Sequence, residues 1–284
     1  MSQSPYILPE GNVQIAFSGG RTSAYMLHHI LEANGGLPDR CVVSFQNTGR
    51  EMPQTLDFVN ACGMKWGVDI VWLEYRKKKP FFDRVNFSDA SREGEPFDQM
   101  LDKRKVLPNV NMRFCTTDLK VRTAERYFRS IGWTDWRNAV GIRADEGRRV
   151  TEKSKEQQGN TKYRWSRWFP LHEAGVTKHD VALFWRNQSF DLGLENLNGS
   201  NLFGNCDGCF CKSEQKLAML HKIYPARAAW WEAREARFSH RGDYGQFSQK
   251  QSRQQLRDFT DRQGDWIFET EGALCQADDG ECTG

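Results

Sequence analysis

The stretch Val13-Gln14-Ile15-Ala16-Phe17-Ser18-Gly19-Gly20-Arg21-Thr22-Ser23 decides the fold. Its first five residues read as a buried strand and Ser18-Gly19-Gly20 as a turn. An amphipathic helix follows over about Ser23–Asn34, with Tyr25, Met26, His29, Ile30 and Ala33 at helical spacing and Gly35-Gly36 closing it. Glycines let a backbone turn sharply and come close to an anion. Amides at a helix start point at that anion, and the helix dipole favours its charge. Ser18, Gly19, Gly20, Arg21, Thr22 and Ser23 are thus the candidate phosphate-binding residues, the last three also through side-chain hydrogen bonds. The pattern is not Gly-x4-Gly-Lys-Ser/Thr. An ordinary strand-to-helix turn is the plainer alternative, but the position directly after the first strand favours a ligand site.

Working outward, Cys41–Gln46, Ile70–Tyr75 and Arg137–Ile142 read as further strands, and Gln54–Cys62 and Thr117–Ile131 as helices. This alternation predicts an α/β fold, a parallel twisted sheet with helices on both faces. Arg76–Arg92 and Asp145–Arg164 read as loops. From Lys178 onward the chain reads helical, except for the Gly/Asn-rich Asn196–Asn205. The expected organisation is a nucleotide-binding α/β domain over 1–170. A mainly helical C-terminal extension carrying cysteines, 171–284, is expected to pack on the same active site.

The 284 residues are 38% hydrophobic and 27% charged, enough for a real core and against wholesale disorder. Forty Lys and Arg against 37 Asp and Glu give a net charge of +3, too mild to argue nucleic-acid binding by itself. Arg76-Lys77-Lys78-Lys79 and Arg234–Arg241 read as solvated charge. Mean hydropathy is −0.72, and no apolar run approaches the ~18–20 residues of a membrane helix. The opening Met1-Ser2-Gln3-Ser4-Pro5-Tyr6 lacks the basic and apolar segments of a signal peptide. A cytoplasmic protein with no membrane association is expected.

Eight cysteines stand at 41, 62, 115, 206, 209, 211, 275 and 282. Free thiols are the plain expectation in a reducing compartment. The cluster Cys206-Asp207-Gly208-Cys209-Phe210-Cys211 points instead to metal or redox chemistry. Cys206-x-x-Cys209 suits zinc or an iron–sulfur cluster, and thiolate count does not discriminate between them. Cys41 and Cys62 read as plain buried thiols, and Cys275 has no assigned role. Arg143 and Arg148 follow a strand's C-terminal end, where open α/β sheets bind ligands, and guanidinium forks suit phosphate or sulfate. Glu51 and Asp145 are candidate contacts to Mg²⁺ or a substrate hydroxyl. Trp165, Trp168 and Trp185 are candidates for an adenine pocket floor, with core packing favoured for Trp185.

Ser-Gly-Gly-x-x-Ser after the first strand resembles the PP-loop of the ATP-pyrophosphatase superfamily, with Thr22 where Asp often precedes the last Ser. Further segments resemble, in order, the phosphoadenylyl-sulfate (PAPS) reductase family. Asn47-Thr48-Gly49-Arg50-Glu51 resembles its Asp-Thr-Gly segment, and Arg113-Phe114-Cys115-Thr116-Thr117-Asp118-Leu119-Lys120 its Cys-Cys-x-x-x-Lys segment with Phe114 for the first Cys. Gly141-Ile142-Arg143-Ala144-Asp145-Glu146, with Arg148, resembles its Gly-x-Arg segment. Pro170-Leu171 and Thr177-Lys178-His179-Asp180-Val181 are similar to its Pro-Leu and Thr-x-x-Asp-Val stretch. The likeness spans roughly residues 12–215.

The resemblance implies an adenine nucleotide, ATP or PAPS, held by Ser18–Ser23, Asn47, Thr48, Gly49, Glu51, Arg143 and Arg148, with Mg²⁺ a further candidate. It implies Arg143, Lys120, Asp145 and Cys282 as catalytic residues. It also implies a [4Fe–4S] cluster, with zinc the alternative, on Cys115, Cys206, Cys209 and a fourth thiol. Cys282, in Glu281-Cys282-Thr283-Gly284, and Cys211 are the two candidates for that fourth position. The implied reaction is ATP-pyrophosphatase activation of an acceptor, nucleic acid first, for sulfur transfer. Reduction of PAPS or adenylyl sulfate with Cys282 as nucleophile is the alternative, and a zinc-stabilised nucleotide-binding module without catalysis is a third. A sulfur-donor or thiol-reductant protein is the implied partner.

Overall fold

A computed structural model describes residues 4–150, 164–197 and 200–263 of the chain. The central sheet has six strands in the order β4-β3-β2-β1-β5-β6. These are β1 (Val13–Ala16), β2 (Cys41–Asn47), β3 (Ile70–Tyr75), β4 (Phe82–Val85), β5 (Trp136–Ala139) and β6 (Trp165–Trp168). All neighbours pair in parallel except β3 and β4, which run antiparallel with Trp72 opposite Val85. The expected sheet is present, with one antiparallel edge strand inside the stretch read as the loop Arg76–Arg92. β6 is a second strand that the sequence reading did not include.

Helices α1 (Arg21–Asn34) and α2 (Pro53–Trp66) connect the first three strands. Each ends on a left-handed glycine, Gly35 (φ 65°) and Gly67 (φ 62°), the usual way to satisfy the last carbonyls. Alternation along β3 builds two cores. Ile70 and Trp72 join the main cluster with Val13, Ile15, Phe17, Met26, Leu27, Leu56 and Val59. Val71 and Leu73 pack on the other face with Ala124, Tyr127, Phe128 and Trp136.

That second face is covered by α4 (Arg122–Ser130), which continues a π-helical turn, Thr116–Val121. Helix α3 (Glu95–Arg104) follows β4. A short 3₁₀ helix, Ala144–Arg149, follows β5, and α5 (Pro170–Glu173) and α6 (Lys178–Arg186) follow β6. The Gly/Asn-rich stretch holds a small antiparallel pair, β7 (Asn196–Leu197) with β8 (Ser200–Asn201). Then come α7 (Glu214–Ile223), α8 (Pro225–Phe238), a 3₁₀ segment (Ser239–Gly245) and α9 (Arg253–Gln263). Trp230, Trp231, Phe238 and Phe247 from this region belong to the same core cluster as β1 and α1.

Among the described residues no helix is long and apolar enough to cross a membrane.

Candidate functional site

The strand order places β1 between β2 and β5. The chain leaves β1 toward β2 on one side and later returns to β5 on the other. This is the topological switch point at which open α/β sheets bind ligands beyond their strand ends. The segments following β1, β2 and β5 are those that carry Ser18–Ser23, Asn47–Glu51 and Arg143.

The Ser18–Ser23 turn needs glycine at its second position. Gly19 has φ 81°, and a Cβ there would lie 2.7 Å from Thr55 Cγ2 and 3.2 Å from Phe45 Cε2. Gly20 is extended (φ −101°, ψ 164°) and begins α1 without a side-chain cap. The first amides of a helix have no partner within it, so this turn presents backbone donors.

The polar side chains around the turn have other partners. Ser23 Oγ donates to the Gly20 carbonyl at 3.0 Å and accepts the Ser18 amide at 3.2 Å, with the Ser18 hydroxyl 2.9 Å away. Thr22, fully buried, accepts a hydrogen bond from Arg143 Nη1 at 3.2 Å. Arg21 pairs through its Nε and Nη2 with both oxygens of Asp191, with Nε–Oδ1 at 2.7 Å. The Arg21 carbonyl accepts the Trp185 indole N–H at 2.9 Å.

Arg143 is buried and bridges two of these segments. Its Nε donates to Asp145 Oδ1 at 2.9 Å, and its amide donates to Glu146 at 3.1 Å. Asp145 also accepts the Lys178 amide at 3.0 Å, which ties the Gly-x-Arg segment to the start of α6. The Arg148 side chain falls outside what the structure describes.

After β2 the chain turns through Asn47-Thr48-Gly49-Arg50-Glu51. Asn47 Nδ2 donates to Glu74 at 2.6 Å, and its Oδ1 accepts the Gly49 amide at 3.1 Å. The Glu51 carboxylate accepts the Thr48 amide at 2.9 Å and the Thr48 hydroxyl at 2.8 Å. Thr48 Oγ1 in turn lies 3.3 Å from Cys206 Sγ. The β2 turn and the cysteine turn are therefore in direct contact.

Asp207, between the two thiols, anchors the cysteine turn. It is fully buried. Its Oδ1 accepts the Gly208 amide and the Trp231 indole N–H, both at 2.7 Å. Its Oδ2 accepts Arg50 Nη2 at 2.8 Å and Arg227 Nε. Arg227 also donates to the Glu51 carbonyl at 2.8 Å, and the Asp207 amide donates to the Arg50 carbonyl at 2.9 Å. The Arg50 guanidinium lies 4.6 Å over Trp230. Cys206 and Cys209 are brought together by a turn closed at 3.2 Å between the Cys209 amide and the Cys206 carbonyl.

Cys115 immediately precedes the π-helical turn, a distortion often found at functional sites. Lys120 on that turn donates to Asn205 Oδ1 at 3.4 Å, next to Cys206. The element following Cys115 is thus joined to the Cys206 turn.

Burial, reinforced by the Glu51 carboxylate, pushes the Cys206 thiol well above its ordinary pKa, and the Lys120 ammonium opposes this. Lys212 donates to the carbonyls of Leu202 and Gly204 at 3.0 and 2.8 Å, and burial lowers its pKa to about 8. A buried thiolate needs a cation beside it. Thiolates are the soft donors that zinc and iron–sulfur clusters take; Cys206 and Cys209 share one turn and could hold such a group, with Cys115 at the start of the element that Lys120 joins to that turn.

Cys211 is buried in the main core, as are Cys41 and Cys62. Cys275 and Cys282 lie outside the described residues. Trp165 stacks on Trp136 (5.6 Å, 22°) against the α4 core, while Trp168 and Trp185 lie in the main core. Sequence reasoning missed Asp207, Arg227 and Trp231 as anchors of the cysteine turn. The available signal was an Asp between two thiols, a residue that cannot be buried without donors around it.

The chain is 28% identical over 221 residues to the uncharacterized nin region protein ORF290 of Escherichia phage lambda, covering 73% of this chain and 69% of that one. Two solved structures are similar at low sequence identity. A PAPS reductase from Candida auris in a phosphate complex gives a TM-score of 0.41 at 16% identity, over 69% of this chain and 87% of that one. The U34-tRNA thiolase NcsA from Methanococcus maripaludis with its [4Fe-4S] cluster gives 0.42 at 15% identity, over 82% of this chain and 74% of that one. The profile of the phosphoadenosine phosphosulfate reductase domain matches residues 12–192, and the chain belongs to that family.

Proposed function

We propose that this protein is an enzyme of sulfur chemistry that binds an adenine nucleotide at the β1 turn and holds a [4Fe–4S] cluster on Cys115, Cys206, Cys209 and a fourth thiol. We assign Cys282 to that fourth position, with Cys211 the alternative. The observation that carries this reading is the placement of both halves on adjoining strand ends. Thr48 after β2 touches Cys206, and Arg143 after β5 touches Thr22 in the turn between them.

In the favoured reaction an acceptor oxygen attacks the α-phosphorus of ATP, the bond to pyrophosphate breaks, and the acceptor becomes adenylylated. A sulfur nucleophile then displaces AMP at the activated atom. The first-turn amides of α1 and the Arg143 guanidinium stabilise charge developing on the phosphate oxygens. Asp145 holds the Arg143 fork in place. Lys120 supplies a cation beside the thiol turn. A bound cluster supplies Lewis-acid and redox capacity for handling sulfur. Nucleic acid is the acceptor class assigned first, a sulfur-donor protein is the expected partner, Mg²⁺ the expected counter-ion of ATP, and the cytoplasm the expected location.

The family's own description favours a second reading. There the Cys282 thiolate attacks the sulfur of PAPS, adenosine bisphosphate leaves, and a dithiol protein releases sulfite from the resulting S-sulfocysteine.

Iron and acid-labile sulfide analysis of anaerobically prepared protein, with product assays on the same sample, separates these readings. Iron and sulfide with pyrophosphate release from ATP is expected. Sulfite release from PAPS that vanishes in Cys282→Ser would replace the first reading with the second. Zinc without sulfide, and no product from either nucleotide, would overturn both in favour of a zinc-stabilised binding module.

A further inference from the structure

Away from the β1 turn, α1 carries His28, His29 and Glu32 on the side that packs against α6. At a rise of ~1.5 Å per residue His28 stands about 10 Å along the helix from Arg21. His28 Nδ1 lies 3.3 Å and His29 Nδ1 3.2 Å from the same Glu32 oxygen, Oε2. One ligand atom from each of the three residues lies within 4.8 Å of the others. Zinc bonds to nitrogen and carboxylate oxygen run ~2.0–2.2 Å, so the edge of a tetrahedron built on them is roughly 3.3–3.5 Å. The two imidazole-to-carboxylate spacings are close to that edge.

The rings are held by their surroundings. His28 packs edge-on to Trp66 at 5.3 Å and to Phe184 at 4.9 Å. His29 lies against Tyr25 at 4.3 Å and Tyr6 at 5.2 Å. His28 Nδ1, one of the two nitrogens that face Glu32, is sealed from solvent with no hydrogen-bond partner among the described residues. Glu32 is 60% exposed, so the carboxylate side of the cluster opens to solvent.

We propose that His28, His29 and Glu32 form a site for one divalent transition-metal ion, zinc by the chemistry of its donors. Two nitrogens and one oxygen suit zinc, and the solvent-facing side provides a fourth position for water. The site is separate from the thiols in sequence and in ligand chemistry. It does not depend on the reaction proposed above.

Cobalt(II) titration of the full-length protein tests it, because thiolate ligation gives intense near-ultraviolet charge-transfer bands and a nitrogen–oxygen site does not. The expected result is one cobalt equivalent with tetrahedral visible bands, no accompanying charge transfer, and displacement by zinc. Glu32→Gln, an exposed substitution that leaves the fold intact, should weaken this binding at least tenfold, and His28→Gln/His29→Gln should abolish it. Cobalt signals confined to thiolate charge transfer would overturn the site. So would unchanged nitrogen–oxygen binding in Glu32→Gln.

Discussion

Replacing Asp207 by Asn removes one charge from a fully buried hub and changes nothing else in volume. Asp207 accepts four hydrogen bonds, from Gly208, Trp231, Arg50 and Arg227. Asn offers one acceptor oxygen, and turns two N–H donors toward groups that are themselves donors. Arg50, only 1% exposed, then keeps its charge without a carboxylate. Removing one partner of a buried ion pair costs about 3–5 kcal/mol. That is a large share of the ~5–15 kcal/mol by which domains are stable. At roughly 2–4 °C per kcal/mol the unfolding midpoint should fall by about 6–20 °C.

The assay is urea and thermal unfolding of wild type, Asp207→Asn, Arg50→Met and the double variant, with metal content measured on each. The double variant should recover at least ~1 kcal/mol relative to the sum of the singles, as residues sharing one network do. Metal content should fall with Asp207→Asn because the thiols lose their anchor. A midpoint within about 2 °C of wild type, or strict additivity of the two substitutions, would refute Asp207 as the anchor of the turn.

Other consequences follow from the same geometry. Gly19→Ala places a methyl group 2.7 Å from Thr55 Cγ2 at φ 81°, so nucleotide affinity should drop at least tenfold in equilibrium binding while the unfolding midpoint moves by only a few degrees. Arg143→Met should weaken ATP binding by about 2–3 kcal/mol, the cost of losing a charged hydrogen-bonding partner to phosphate, and Arg143→Lys should recover only part of it. His221 is held at a pKa of about 4 by burial and by Arg253 and Arg257. Below pH 6.5 the unfolded chain takes up a proton that the folded one refuses. Stability is therefore full above that pH and lost as the pH falls toward 4. The Glu232 carboxylate 3.4 Å from the ring opposes this shift, so urea midpoints at pH 7 and 5 should show roughly 1 kcal/mol lost to this group, and His221→Gln should flatten the dependence by that amount.

The elements legible in the sequence were those whose own residues dictate them. β1, β2 and β3 are apolar runs, and α1 has helical spacing with a glycine stop. β4 was not legible, because Phe82-Asp83-Arg84-Val85 exposes its two central residues and is defined by its antiparallel partner β3. α3 carried a readable signal in Phe97, Met100 and Leu101, three buried residues at helical spacing. At the site, the glycine turn and the paired thiols could be read because their chemistry is local. The Asp207–Arg50 pair could not, since its members stand 157 residues apart and only the packed structure joins them. The side-chain partners of Arg21 and Thr22, Asp191 and Arg143, were hidden for the same reason, at separations of 170 and 121 residues.

Those partners change what the β1 turn can recognise. Arg21 is held by Asp191, Thr22 receives Arg143, and Ser23 closes the turn on Gly20 and Ser18. The donors that remain for an anion belong chiefly to the backbone, and backbone amides select by shape and spacing rather than by charge. Thr22 in place of the acid found in many PP-loops fits this arrangement. A carboxylate there would add a further anion to a guanidinium that already pairs with Asp145 at 2.9 Å, whereas the neutral hydroxyl positions Arg143 without adding charge. On the proposed reading, the charge that distinguishes a polyphosphate from a simple anion comes from Arg143 across the β1–β5 crevice. The sulfur chemistry comes from the opposite side, where Thr48 meets Cys206. On that reading the nucleotide lies between two strand ends that each contribute one half of the reaction.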